Sequence, residues 1–550
     1  MTSSAHVIAR LTRNPARSPH AARAWIPGRG RDDSLPGSVQ GAPTRGTVRI
    51  LALSIALGLA GCAVGPRYDA PRTVDTPVAF KEGGGEWVSA TPSDATDRGA
   101  WWTAFQDPLL DDLAARVDVS NQTVAEAVGA YAQARALVAQ QRAGLFPTVT
   151  LDGSANRSGT RGGSSGTAVT TTSSTATAGG TTGTTVISSG SGSARNSFQL
   201  SIGGSWEPDV WGRLAAGVSA ARASQQASFA DLASARLSAQ GELAVNYFNL
   251  RSLDVQAAIA TRTVAGYERT VTITNNRYTA GVAARTDLLQ AQSQLASARA
   301  DLLDLQRQRA QLEHAIAVLV GQAPASFSLK PEPTWAVNVP KVPLEVPSTL
   351  LQRRPDIAAA ERRVAQANEQ IGIARAAYFP SLRLSGSLGA GAAAVGDLFN
   401  ASSLVWALGA SASQTLFNFG LTRAQVESAQ AAFDQSVARY RQTVLSAFQG
   451  VEDQLAATRI LGEQLALRQE ASEAADLVEQ QVLNRYQAGQ VAFTDVVTAQ
   501  NTAQQARRAL VQLQASRQVA AVSLVQALGG GWPGLSAEGS AQAAPGKTGG

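Results

Sequence analysis

The 550-residue sequence predicts a mainly α-helical fold with a β-barrel part, in which each chain contains two internal repeats. Three observations predict this fold: a twelve-residue motif that occurs twice, two long proline-free segments, and four short segments in which apolar and polar residues alternate. A chain that repeats itself at a period near half its length is built as two copies of one structural unit.

The repeat is visible in two pairs of motifs. Residues Asn276–Asp287 recur as Asn484–Asp495, shifted by 208 positions and with eight identities. Residues Arg142–Pro147 recur as Arg375–Pro380, shifted by 233 positions. The two shifts differ by 25, so the first copy contains an insertion of that length between its two motifs.

Two very long helices are predicted at Arg213–Asn276 and Leu421–Asn484, which contain 64 residues each and no proline. At a rise of 1.5 Å per residue, each helix would reach roughly 96 Å. A glycine turn follows each of them, at Gly281 and Gly489, and the chain then enters another helix. The sequence thus predicts two helical hairpins with the repeated motif at the tip, and their second helices are Thr286–Val320 and Thr494–Leu528.

Four segments alternate with period two: Val149–Leu151, Phe198–Trp206, Leu382–Leu388 and Leu404–Ala412. This pattern is a weak signature of membrane β-barrel strands, although a strand of a soluble sandwich alternates in the same way. Four strands cannot close a barrel, since the smallest barrels use about eight, and an open sheet edge in lipid leaves backbone groups unpaired. The barrel must therefore be assembled from several chains, and three copies would give twelve strands above a long wall of helices.

The start of the chain has the features of an export signal. Arg45 and Arg49 precede the apolar run Ile50–Leu59, which is too short to span a bilayer and is typical of a secretory signal peptide. The run ends in LAGC, which resembles a bacterial lipobox, so we expect Cys62 to be lipidated and to become the mature N-terminus. The alternative is a buried cysteine. By resemblance to bacterial lipoproteins, Ala63 permits sorting to the outer membrane.

Composition argues against several function classes. Residues 1–61 carry eight arginines and two aspartates, and the rest of the chain has equal numbers of basic and acidic residues, so no nucleic-acid partner is expected despite the pI of 9.7. A single cysteine excludes an intramolecular disulfide and a cysteine zinc cluster. No Ser/His/Asp set or glycine-rich phosphate loop is present, so we expect neither a cofactor nor an enzyme.

The predicted organisation has six parts, and its helices begin near Asp107-Pro108. Within the first repeat, a Gly/Ser/Thr-rich loop at 154–196 cannot bury enough apolar surface to fold, and we expect it to be flexible and to face the cell exterior. The parts are a leader with its signal peptide (1–61), an N-terminal extended arm (62–106), the first repeat (107–323), a linker (324–347), the second repeat (348–532) and a disordered tail (533–550).

From Cys62 to about Trp532 the chain resembles the TolC/NodT-type outer-membrane efflux channels. The motifs that carry the resemblance are Cys62–Tyr68, Trp101-Trp102 with Phe105 and Asp107-Pro108, Arg353–Ile357 with Glu361, Ile371–Arg375, Phe379-Pro380 and the two tip motifs.

The resemblance implies a homotrimer with a twelve-stranded barrel in outer-membrane lipid and an α-helical tunnel in the periplasm, with an equatorial domain formed by the terminal arms and the linker. Such channels receive substrate from an inner-membrane resistance-nodulation-division pump through a periplasmic adaptor protein. Two other functions remain open: an exit duct for type I protein secretion, and a structural periplasmic coiled-coil lipoprotein.

Within this family the tip turns contact the adaptor, which makes Gly281 and Gly489 the candidate adaptor-contact residues. A helix–helix turn needs a left-handed residue, and close approach of another backbone leaves no room for a side chain. Both residues also fit a simpler role as turn glycines.

The resemblance also places a periplasmic gate just after these glycines. It maps the acidic ring onto Asp287 and Asp495, which would favour cations at a narrow opening. Capping of the first helical turn is an equally good interpretation of both aspartates. Further constriction positions are Thr494 and Thr498, and Tyr486 is placed to bond Asp287 across the hairpins.

Two departures from the family pattern concern the strength and symmetry of the gate. The best-known member carries a latching arginine where this chain has Val491, so we expect a more weakly latched gate. The copies also differ from each other: Arg285 in the first copy corresponds to Phe493 in the second, and Gln290 corresponds to Thr498. Six alternating hairpins would therefore give the gate threefold rather than sixfold behaviour.

Overall fold

The computed structural model describes residues 64–71, 79–82, 100–159, 194–335, 337–340 and 354–530. The expected lipidation residue Cys62, the leader, the disordered tail and most of the Gly/Ser/Thr-rich loop lie outside these ranges. The described helices and strands follow one another as α1 (Pro108–Ser120), α2 (Gln122–Ala143), β1 (Thr148–Ser158), β2 (Arg195–Trp206), α3 (Arg213–Thr279), α4 (Arg285–Leu319), α5 (Pro355–Ala376), β3 (Ser381–Ala392), β4 (Leu404–Ser413), α6 (Leu421–Gln487) and α7 (Phe493–Ala527).

The first two helices begin at side-chain caps. The Asp107 carboxylate accepts hydrogen bonds from the backbone N–H groups of Leu109 and Leu110 at 3.1 and 3.3 Å, and Pro108 occupies the first helical position of α1. The hydroxyl of Tyr247 in α3 donates to the same carboxylate at 2.6 Å. Burial, followed by this hydrogen bond, raises the pKa of Tyr247 above its ordinary value, so the hydroxyl stays a donor at neutral pH.

The two predicted hairpins are present and equal in length. Helices α3 and α6 have 67 residues each, and α4 and α7 have 35 each. The long helices start after Gly212 and Gly420, whose φ angles of 77° and 85° are left-handed and whose positions differ by the repeat shift of 208. Each long helix runs three residues beyond its predicted end, because the tip motif stays helical almost to its glycine.

The four strands form one antiparallel sheet in the order β1-β2-β3-β4. Leu151 pairs with Ile202, Ile202 with Leu388, and Leu388 with Trp406, so a single apolar row crosses all four strands. All four side chains are more than half exposed in the single chain. In the part of the chain that the structure describes, β1 and β4 each pair on one side only, which leaves two open edges.

The predicted boundaries of the loop at 154–196 are wrong at both ends. Residues Ser154–Ser158 pair with Arg195–Gln199 and continue the first hairpin. Backbone pairing requires no apolar side chain, so the ladder extends past the apolar band into polar sequence that composition alone assigned to a loop.

The main core lies where the N-terminal arm meets the middle of α3. Trp101, Trp102 and Phe105 are buried there against Tyr247 and Phe248. Trp101 and Trp102 thus anchor the described end of the predicted N-terminal extended arm to α3. Among the described residues, no helix is both long enough and apolar enough to cross a membrane.

A buried ionic network fixes the linker to the first hairpin. The Asp254 side chain is 1% exposed and accepts hydrogen bonds from Arg251 at 2.9 Å and from Arg309 at 2.6 Å. Arg309 in α4 also pairs with Glu313 at 2.9 Å and donates to the carbonyl of Leu329 at 2.5 Å. These contacts neutralise the buried charges and join α3, α4 and the segment after α4.

Candidate functional site

The two hairpin turns have the same backbone geometry. Gly281 and Gly489 have φ angles of 75° and 78°, and each donates its N–H to a tyrosine carbonyl three residues earlier at 2.9 Å. A Cβ atom built on Gly281 would meet no other atom within 4 Å. Glycine is therefore required by the left-handed backbone and not by crowding inside the chain, so the surface over this turn is open to a partner.

Arg277, at the end of α3, fastens the first hairpin to the second. Its guanidinium carbon lies 4.8 Å from the ring centre of Tyr486, at the end of α6, and its Nη1 donates to the Tyr486 carbonyl at 2.6 Å. Phe493, at the start of α7, covers another part of the same ring with centroids 5.5 Å apart. Tyr486 is only 3% exposed, and this arrangement combines a cation–π contact with a charge-assisted hydrogen bond.

The expected hydrogen bond between Tyr486 and Asp287 does not form in this chain. The Tyr486 hydroxyl is buried and has no hydrogen-bond partner among the described residues. The guanidinium of Arg277 and the ring of Phe493 hold the tyrosine within a small apolar cluster, which also includes Val491. The hydroxyl is therefore enclosed in this cluster and bonds neither aspartate.

The two aspartates occupy equivalent positions in the first turns of α4 and α7 but differ in their contacts. The carboxylate of Asp495 accepts the backbone N–H of Ala492 at 3.3 Å, which satisfies one free donor at the start of α7. Asp287 is half-buried, and no side chain caps the start of α4. The capping interpretation thus has direct support for Asp495 only.

The two threonines lie one turn apart on an exposed face of α7. The hydroxyl of Thr498 donates to the carbonyl of Thr494 at 2.9 Å, so its hydrogen bond is made within its own helix. Both side chains and Asp495 are exposed in the single chain. The structure therefore brings Thr494, Asp495 and Thr498 to one stretch of surface, apart from the buried Tyr486.

Polar contacts continue between the hairpins beyond the turns. Gln294 of α4 donates to Asn501 of α7 at 2.5 Å and to the hydroxyl of Tyr267 at 3.2 Å. Burial raises the pKa of Tyr267 above its ordinary value, so this ring stays neutral. Further along, Arg508 pairs with Asp301 at 3.1 Å. The contacts of Asn501 and Arg508 hold α4 and α7 side by side in one chain, whereas the contact of Gln294 with Tyr267 lies within the first hairpin.

Arg277 was not among the candidate residues drawn from the sequence, although the repeat contained the signal. The motif retains arginine in both copies, as Arg277 and Arg485, immediately before Tyr278 and Tyr486. The family resemblance concerns the residues after each glycine, such as Val491 at the latch position, and it gives no signal for Arg277.

Comparisons with known proteins agree with this architecture. A family model described as "Outer membrane efflux protein" matches residues 113–322 and 346–530. The chain is 32% identical over 448 residues to the pyoverdine export outer membrane protein OpmQ of Pseudomonas aeruginosa, covering 81% of this chain and 90% of that one. It is 28% identical over 487 residues to the cation efflux system protein CusC of Escherichia coli O6:H1, covering 88% and 99%. The solved structure of the outer-membrane channel OprN superposes with a TM-score of 0.72 at 29% identity, covering 86% of this chain and all of that one.

Proposed function

The chain belongs to the outer membrane efflux protein family, and on this premise we propose that its two hairpin turns form the periplasmic mouth of the channel and dock the adaptor. Gly281 and Gly489 supply the docking surface in this proposal. Asp287 and Asp495 supply the charge at the opening, and Thr494 and Thr498 line it beside Asp495.

Family membership confirms the predicted fold class and location: a trimeric barrel of twelve strands in the outer membrane, four from each chain, continued by a helical tunnel in the periplasm. It also confirms the predicted role as the outer-membrane channel of a tripartite efflux system, with an adaptor and an inner-membrane pump as partners. Lipidation at Cys62 and the domain boundaries other than those of the loop at 154–196 remain predictions.

One observation carries the channel function most directly. The open sheet has a continuous apolar row, and each long helix begins directly after it, so a single chain contains a lipid-facing part and a 67-residue helix leading away from it. At 1.5 Å per residue that helix is about 100 Å long. Closing the two free edges with further copies satisfies the backbone groups that lipid cannot.

We propose a passive conduit and not an enzyme, because the role requires only an opening of adjustable width. The cargo is small: the relatives are named for pyoverdine export and for cation efflux, and we extend small-compound efflux, including drugs, to this chain. The same names favour efflux over an exit duct for secreted proteins. Such variety among similar channels fits selection of the cargo by the pump.

The docking role can be tested with asparagine at the two turns. Asparagine tolerates a left-handed backbone better than other residues with side chains, so Gly281→Asn and Gly489→Asn keep the turn while adding a side chain to its surface. We expect the trimer to form normally, and the adaptor to co-purify less and drug resistance to fall when the variant replaces the native channel.

The matched control is Gly266→Ala, in the body of α3, where an added Cβ atom meets nothing within 4 Å. This variant should retain full resistance. Full adaptor recovery with both asparagine variants would refute the docking role. Loss of secreted protein with unchanged drug resistance in a strain lacking the channel would instead favour the secretion duct.

A further inference from the structure

The contact between Arg277 and Tyr486 joins the two repeats of one chain. The contact between the repeat-equivalent residues does not form within the chain. Shifted by 208 positions, Arg277 corresponds to Arg485 and Tyr486 corresponds to Tyr278. Arg485 is exposed, and Tyr278 is 39% exposed. Arg485 and Tyr278 are therefore available at the surface, whereas their equivalents Arg277 and Tyr486 contact each other.

The exposed apolar residues of the long helices indicate where this counterpart forms. Helix α3 packs against both α4 and α7, which places α4 and α6 at the two outer sides of the hairpin pair. Apart from Tyr278 near the end of α3, the exposed large hydrophobic residues of the four helices lie on these two outer helices, within the described residues: Leu289, Leu303 and Val318 on α4, and Leu421, Leu445, Ile460, Leu467, Leu477 and Val478 on α6.

In a closed ring of three chains, the outer helices α6 of one chain and α4 of the next are neighbours, and the repeat then brings the end of α6 towards the end of the next α3. We propose that Arg485 of each chain lies over the Tyr278 ring of the neighbouring chain, so that the mouth is fastened between chains by the same contact that fastens it within them. This proposal rests on the trimeric channel described above, and its partner is a second copy of this chain.

The contact between chains is weaker than the contact within a chain. Tyr486 has Phe493 beside it, whereas the residue equivalent to Phe493 is Arg285. A second guanidinium near the Tyr278 ring repels the arriving Arg485. The ion pair of Arg508 with Asp301 also has no counterpart, since the equivalent positions are both alanine. The mouth therefore opens between chains before it opens within them.

A second, independent contact lies where the strands meet the helices. It too forms within the chain, while the equivalent residues of the other repeat are exposed. The ring of Trp211 stacks on Phe379 at 4.9 Å, and its Nε1 donates to the carbonyl of Pro380 at 2.7 Å. By the two repeat shifts, the equivalents of Trp211 and Phe379 are Phe419 and Phe146. These side chains are 92% and 68% exposed in the single chain, and we expect them to stack between chains.

Cross-linking of cysteine pairs in the intact outer-membrane trimer tests both contacts. With a short bismaleimide reagent, Tyr278→Cys/Arg485→Cys and Phe146→Cys/Phe419→Cys should give covalent dimers and trimers on denaturing gels. The matched pair Arg277→Cys/Tyr486→Cys should react within one chain and leave the mass of the denatured band unchanged. Single-cysteine variants control for reaction with native Cys62.

The outcomes separate this proposal from the proposed function. A native trimer in which Tyr278→Cys/Arg485→Cys yields only monomer bands overturns the pairing at the mouth and leaves the channel intact. Failure of the unmodified chain to form a trimer would instead overturn the channel itself. Cross-linked trimers support the pairing.

A conductance series gives a second readout that requires no cysteine. Tyr278→Phe keeps the ring and should match the native channel. Tyr278→Leu removes the ring, and it should increase the ratio of open to closed states about two- to fivefold for every cation–π pair that is broken. Equal effects of phenylalanine and leucine would contradict the contact of Arg485 with the ring.

Discussion

Helices α3 and α6 are repeats of each other with 67 residues each, yet their environments differ greatly. In the single chain 24 residues of α3 are buried, compared with 8 of α6. Helix α3 packs against α2, α4, α5 and α7, whereas α6 packs mainly against α5 and α7 and meets α3 at the contact of Tyr486 with Arg277. Equal helix length and equal turn geometry therefore do not require equal burial, because the position within the chain decides which copy is enclosed.

The exposed face of α6 has the pattern of an interface and not of a solvated surface. Ile460, Leu467 and Val478 are 42%, 67% and 50% exposed, and their spacings of 7, 11 and 18 residues place them along one stripe of the helix. A stripe of this kind indicates a partner that the single chain does not contain. The comparison thus separates contacts that fold the chain from contacts that assemble it.

The largest predicted effect comes from the buried charges that only α3 possesses. Asp254→Asn leaves the guanidinium group of Arg251 buried without its negative partner and leaves Glu313 as the remaining carboxylate beside Arg309. Removing one member of a buried ion pair typically costs about 3–5 kcal/mol. We expect a sharp fall in the yield of folded protein and in the temperature at which the trimer dissociates on denaturing gels.

The equivalent position in α6 provides the control. Arg459 corresponds to Arg251, pairs with Glu82 at 2.6 Å and is about half exposed, while the counterpart of Asp254 is Gly462. Arg459→Ala should leave folding and trimer stability almost unchanged, since exposed pairs contribute little. An equal loss in the two variants would mean that the difference in burial between α3 and α6 has no energetic consequence.

A smaller effect is predicted for the apolar stripe of α6. Leu467→Ser should leave the folded chain intact but weaken the trimer, because burying a leucine at each interface contributes about 1.5–3 kcal/mol. Light scattering in detergent and the heat resistance of the trimer would measure the change.

Leu243→Ala is the contrasting variant, since Leu243 is fully buried inside one chain. We expect it to reduce folding of the monomer itself, with a cost of about 2–5 kcal/mol from the cavity. If Leu467→Ser also disrupts the monomer and not its assembly, then α6 is not completed by a second chain.

A still smaller effect is predicted for a substitution that makes the proposed contact between chains resemble the contact within a chain. Arg285→Phe places beside Tyr278 the residue type that Phe493 supplies beside Tyr486, and an aromatic pair contributes about 0.5–1.5 kcal/mol beyond its buried area. We expect lower single-channel conductance and a more heat-resistant trimer. The reverse substitution, Phe493→Arg, should have the opposite effect, and identical changes from both would contradict the model of two contacts that differ in strength.

Much of this architecture could be predicted from the sequence because it depends on local patterns. The absence of proline over each 64-residue segment, the glycine of each turn and the alternation in each strand depend on nearby residues, and these predictions agree with the structure. The end of β1 could not be predicted in this way, because its last residues are ordered by pairing with a strand more than thirty residues away.

The contacts beside the hairpin turns were harder to predict for the same reason. The resemblance to the efflux channels implies Asp287 as the partner of Tyr486. The structure pairs this tyrosine instead with Arg277, 209 positions earlier in the chain. A repeat states which residues are equivalent, but only packing of the hairpins shows which equivalent residues meet.

The smallest predicted effect concerns the two aspartates, which the repeat makes equivalent and the structure does not. Asp495→Asn weakens the bond to the N–H of Ala492 and removes a negative charge from the first turn of α7, at a cost of about 0.5 kcal/mol. Asp287→Asn, with no such bond, should change the stability less. If both residues also line the gate, each substitution should lower the preference of the open channel for cations over anions, measured as a shift in reversal potential. Loss of stability in Asp495→Asn with unchanged ion preference in both variants would leave Asp495 as a helix cap alone and would remove the acidic ring from the mouth.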